Sequence, residues 1–153
     1  MACSRRMALG LAWVALAAGC GESRRTSSGA SELTRAEASL QTELEAVVDH
    51  LGMPAEPGER VPPVRCEDGA RHDVTSGYRI RLKLDGDVEK HLDQAKAFWR
   101  KRGRRVRVVS RGGAFPAVFA TDDPGWTFAL QLFPERGEAI VSGGTPCLPD
   151  PET

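Results

Sequence analysis

The 153-residue chain carries no net charge, because 21 lysines and arginines balance 21 aspartates and glutamates. That balance removes the usual ground for a nucleic-acid partner, since binding to a phosphate backbone draws on a basic excess. Aromatic residues make up 6%, and none interleaves the arginines in the way that stacking on single-stranded bases requires. His50, His72 and His91 are the only histidines, and none falls in a His-Glu-x-x-His or similar metal-binding spacing. No glycine-rich stretch has phosphate-loop spacing: Arg111-Gly112-Gly113 lacks both the lysine and the following helix. No apolar run reaches the roughly 20 residues a helix needs to cross a bilayer core. The composition therefore points to no cofactor, no metal and no catalytic signature.

Two acidic and nucleophilic clusters have ordinary readings. Asp122-Asp123-Pro124-Gly125 is turn chemistry. Together with Asp85 and Asp87 it lacks the alternating acids and closing glutamate of a calcium loop. His72, Asp73 and Ser76 are neighbours in one segment, whereas a nucleophilic triad draws its members from separate elements around an oxyanion site. The segment reads as a solvated loop.

What is present begins at the N-terminus. Arg5 and Arg6 precede an apolar stretch from Met7 to Ala18, which closes as Leu16-Ala17-Ala18-Gly19-Cys20. The stretch is about half a membrane span, the length of a signal-peptide h-region. These residues resemble the lipobox of bacterial lipoproteins, with Ala17 where leucine is most usual. Ser4-Arg5-Arg6 followed by Leu9 also resembles a twin-arginine export signal, with Ala8 in place of phenylalanine. The lipobox resemblance implies a signal peptide over 1–19 and a diacylglyceryl group on Cys20. It implies a mature protein held at a membrane on its extracytoplasmic side, since two acyl chains anchor stably where one does not. An ordinary secretory signal cleaved near Ala18 or Gly19 is the alternative. Loss of residues 1–19 removes Arg5 and Arg6 and no acid, so the mature chain stays near neutral.

Of the four cysteines, Cys3 would leave with the signal peptide and Cys20 would carry lipid. Cys66 and Cys147 remain, and outside the cytoplasm such a pair is expected to form a disulfide.

The mature chain reads as a tether over 20–31 and one domain over 32–153. Residues 21–31 offer almost nothing to bury. Thr34-x-x-Glu37 has capping-box spacing, and Ala36, Leu40, Leu44, Val47 and Leu51 follow at helical intervals up to Gly52. Met53 to Thr75, rich in proline, glycine and charge, reads as a long loop. Tyr78 to Leu84 alternates as a half-buried strand. Asp87 is the expected N-cap of a second helix, striped with Val88, Leu92, Ala95 and Phe98/Trp99 and ended by Gly103. Strand-like runs follow at Arg105–Val109, Ala117–Thr121, Thr127–Phe133 and Ala139–Ser142. Trp126, Phe128, Leu130 and Leu132 are expected to face the helices, and Trp99 and Trp126 to serve the core. The order α-β-α-β-β-β-β predicts an α+β domain: an antiparallel sheet of about five strands with both helices on one face. This layout, with its closing Ser142-Gly-Gly-Thr-Pro-Cys147, resembles small actinobacterial lipoproteins, a resemblance that carries no activity with it.

The functional lead is a basic face. Arg79, Arg81 and Lys83 alternate with Ile80 and Leu82, and Arg105 and Arg107 alternate with Val106 and Val108. If the two strands are neighbours, five cations share the open face, with Lys101, Arg102 and Arg104 at its margin. Like charges on adjacent strands repel, so either acids interleave or the face meets an anionic partner: lipid headgroups, wall polymer or an acidic protein. The expectation is a non-enzymatic, lipid-anchored envelope protein that binds through this face. The alternatives are an envelope hydrolase with its site in Met53–Thr75, or an inhibitor or immunity-type lipoprotein with one protein partner.

Overall fold

Leucine spacing draws the first helix. Leu33, Leu40, Leu44, Val47 and Leu51 recur on one side of α1 (Thr26–Leu51), and all are buried. The helix stops where Gly52 adopts a positive φ of 67° and its N–H donates to Val48 O at 3.1 Å. The computed structural model describes residues 26–67, 73–109 and 115–150. Cys20, the segment 1–19 and His72 lie outside them.

α1 begins at Thr26, well before the capping box expected at Thr34. Residues 26–31 contain no proline to stop the helix, and once nucleated by its buried leucines it extends through them despite their low helix propensity. The segment expected as tether over 20–31 is therefore helical from Thr26. Glu37 does not reach back to a cap. Its carboxylate accepts from Arg60 Nε at 3.0 Å, joining the helix to the first strand.

The remaining elements are β1 (Glu59–Arg65), β2 (Asp73–Lys83), α2 (Val88–Lys101), β3 (Arg105–Val109), β4 (Ala117–Thr121), β5 (Thr127–Phe133), a 3₁₀ turn (Pro134–Arg136), β6 (Glu138–Gly144) and β7 (Leu148–Pro149). Asp87 caps α2 as expected, its carboxylate accepting from the Glu89 N–H at 2.9 Å. The fold is α+β. Among the described residues its sheet has seven strands, every pair antiparallel, in the order β1-β2-β6-β5-β4-β3 with β7 also paired to β2.

Two strands were not foreseen, β1 and β7. β1 contains Pro62 and Pro63, and proline cannot donate to a central ladder. The segment is tolerated because it is the outermost strand, and its register slips between Val61 and Val64 where the prolines sit. The expected loop from Met53 to Thr75 thus contains an edge strand and the start of β2.

Both helices cover one face of the sheet. Leu40, Leu44 and Val47 of α1, Leu92, Phe98 and Trp99 of α2, and Ile80, Leu82, Val118, Phe128, Leu130, Leu132 and Val141 of the sheet form the core. Trp99 is fully buried, and Trp126 packs at the core's margin, stacked on Phe128 at 6.4 Å. One glycine sets how closely α1 approaches the sheet. A Cβ on Gly143 would stand 2.7 Å from Thr127 O and 2.8 Å from a methyl of Leu40.

Cys66 and Cys147 lie within disulfide-bonding distance, with Cα atoms 6.2 Å apart. The bridge joins the end of β1 to the approach to β7, the two strands that flank the first half of β2.

Candidate functional site

Strand periodicity turns every second side chain away from the helices. On the open face β2 carries Thr75, Gly77, Arg79, Arg81 and Lys83, while β3 carries Arg105, Arg107 and Val109. The structure places these strands apart. β6, β5 and β4 lie between them, about 19 Å of sheet at the usual strand spacing. The single basic field expected from neighbouring strands does not form. The helix α2 carries the chain from β2 across the sheet to the far edge, and the next three strands fill the gap.

Register relates the two groups. Arg79 lies opposite Ser142, Ser142 opposite Ala129, Ala129 opposite Phe119, and Phe119 opposite Arg107. The parallel row runs Arg81, Ile140, Gln131, Ala117, Val109. A cationic rim thus stands on each side of a floor of small and apolar residues. Gly77 and Gly144, opposite one another, lower that floor further. Val61, Pro62 and Val64 of β1 form one wall of a trough of about 460 Å³ whose far side reaches Phe119. A second hollow of about 500 Å³ continues from Phe119 to Arg105 and Arg107. A third, of about 550 Å³, surrounds Arg81 and Lys83 together with Glu56, Arg136 and Glu138.

The cations are not equivalent. Arg79 is held by Glu59 of β1 at 2.7 Å and Arg105 by Asp123 at 3.2 Å. Lys83 stands opposite Glu138 in register. Arg107 lies over the Phe119 ring, 5.5 Å from its centroid. Among the described residues Arg81, Lys83 and Arg107 make no ion pair. Arg102 and Arg104, expected at the margin of the face, turn to the helix side. Arg102 stacks on Phe98 at 3.6 Å, and Arg104 lies between Glu43 and Asp122, 4.0 Å over Phe128. The positive φ of Gly103, 74°, reverses the chain between them.

Ser76, His91, His50 and the aspartates have structural roles. Ser76 is buried, its hydroxyl 3.4 Å from Val61 O. Its amide donates to Thr145 Oγ1 at 3.0 Å, and Thr75 Oγ1 donates to Thr145 O at 2.7 Å, so the Ser-Gly-Gly-Thr segment is stitched to β2. His91 is buried, and its Nε2–H donates to Asp85 O at 2.6 Å. His50 packs on Phe98 at 5.2 Å. Asp87 caps α2, and Asp122 and Asp123 bind Arg104 and Arg105. No group of three or more potential metal ligands occurs among the described residues.

The trough was not foreseen from the sequence. Its signal is the pairing of glycines with a proline-containing edge, which becomes visible only once β1 is placed. Comparison of the chain with protein-family models, with curated proteins and with solved structures gave no match in any of the three.

Proposed function

We propose that this chain is a lipid-anchored cell-envelope protein, held through Cys20, whose open sheet face binds an elongated anionic partner. The carrying observation is the arrangement of Arg81, Lys83 and Arg107: cations that make no ion pair among the described residues, in separate hollows on either side of a small-residue floor. Charged groups of the partner would meet the rims by charge-assisted hydrogen bonds, while its uncharged middle would lie along Phe119, Ala129 and Gly144. The bonded position of Cys66 and Cys147 supports an oxidising compartment outside the cytoplasm.

Two measurements test this reading. Cys20→Ser should move the protein from the membrane fraction to the soluble fraction and remove its label from fatty acid, since each buried methylene contributes about 0.8 kcal/mol to anchoring. Unchanged fractionation would refute the anchor. In-cell crosslinking of the lipidated protein should capture a species that is lost in Arg81→Glu/Arg107→Glu, with the melting temperature unchanged because both side chains are exposed. An identical pattern in the two forms would reduce the rims to solvated surface.

A further inference from the structure

The two edges of the sheet are built differently. β1 is closed to a further strand by Pro62, Pro63 and its register slip. β3 has no proline, and its pairing with β4 is continuous from Arg105 to Val109. Its outward hydrogen-bonding groups can be assigned. The Leu132 N–H donates to Pro116 O, and the Asp122 N–H donates to Trp126 O. The even-numbered residues of this segment therefore bond β5, and Ala117, Phe119 and Thr121 bond β3. Their partners Arg105, Arg107 and Val109 are spent on β4. Val106 and Val108 consequently turn their N–H and C=O groups to the free edge, where no described residue meets them. Val108 is also 41% exposed, one of the few large apolar side chains left in solvent.

We infer that β3 is a docking edge for an extended peptide that alternates acidic with apolar residues and adds to the sheet as an antiparallel strand. Peptide residues opposite Val106 and Val108 exchange backbone hydrogen bonds with them and cover the exposed Val108 side chain. Those opposite Arg105 and Arg107 lie on the open face, where one carboxylate pairs with Arg107 and another joins Asp123 at the exposed Arg105 guanidinium. Charge selects this occupant over a second copy of the chain. Full-length antiparallel pairing of two β3 strands centres on Arg107 and sets it against its own counterpart, a repulsive pair. The inference shares Arg107 with the open-face reading but adds the free edge of β3, and it does not use Arg81, which lies on β2 at the other side of the sheet.

The test uses the full chain and two isomeric short peptides alternating valine with glutamate. One is N-methylated on its valine amides, the other on its glutamate amides. Binding measured by fluorescence anisotropy should be weakened about tenfold or more by methylation at valine, where the amides face β3. Methylation at glutamate should leave affinity near that of the unmodified peptide. A peptide alternating valine with lysine should not bind, and Arg81→Glu should leave binding unchanged. Equal binding of the two methylated isomers would show attraction by charge alone and overturn strand addition. So would the absence of binding by the unmodified peptide, or tighter binding of polyglutamate or anionic vesicles.

Discussion

Replacement of Cys66 and Cys147 by serine should lower the melting temperature by about 10 °C or more. Bridging cysteines 81 residues apart in the chain removes, on the chain-entropy model, about 4.5 kcal/mol from the unfolded state, less any strain in the folded one. For a domain of this size each kcal/mol is about 3–4 °C. The location sharpens the expectation. Every residue of β1 is solvent-exposed, so the strand buries little of its own. It is held by its ladder to β2, by Arg60 with Glu37, by Arg79 with Glu59, and by the bridge at its end. Without the bridge, hydrogen exchange should accelerate first in β1 and β7, ahead of the amides of β5 and β6. An unchanged melting temperature would mean that the ladder alone suffices. Because β1 walls the trough, its release should also weaken the binding we propose for the open face.

Arg104→Met should destabilise the domain by about 3 kcal/mol. The Arg104 side chain is 13% exposed and sits between the carboxylates of Glu43 on α1 and Asp122 after β4, with the Phe128 ring beneath it. Removing the guanidinium leaves Asp122 without its cation and Glu43 with Arg102 alone, at 3.4 Å, and opens the joint between α1 and the sheet. Loss of a single partner from such a group costs more than the group contributes intact, because the remaining charges stay desolvated. Neutralising the acids as well, in Arg104→Met/Glu43→Gln/Asp122→Asn, should therefore recover much of the loss. Chemical denaturation of the three proteins measures this. A single variant within about 0.5 kcal/mol of the parent would place Arg104 among ordinary surface residues.

Lys101, Arg102, Arg104 and Arg105 show the limit of reading such a cluster from composition. Four cations in five positions around Gly103 look interchangeable in the sequence. The left-handed turn at Gly103 sends Arg102 onto Phe98 and Arg104 into the carboxylate pair, while Arg105 enters the edge strand and remains 70% exposed. Nothing local distinguishes them. The strand β1 was hidden for a related reason. Its prolines argue against a strand in any central position, and only its place at an edge removes the objection.

Local periodicity was sufficient for α2 with its Asp87 cap, for the inward faces of β2 and β5, and for the α+β class, because each depends on residues close together in the chain. The helix pattern of α1 was equally plain, although its start was not, since helix propagation beyond a nucleated core leaves no mark in small polar residues. The order of strands was not local. A connection through α2 is long enough for β3 to return beside β2 or to land at the far edge, and the choice depends on how three later strands fill the sheet between them. That choice separates Arg79, Arg81 and Lys83 from Arg105 and Arg107 by the width of three strands. It replaces a continuous basic face by two cationic groups on either side of a neutral floor and, among the described residues, leaves Val106 and Val108 at an unpaired edge. The charges themselves belong to the sequence. Their distance, and therefore the shape of anything that meets them, belongs to the sheet.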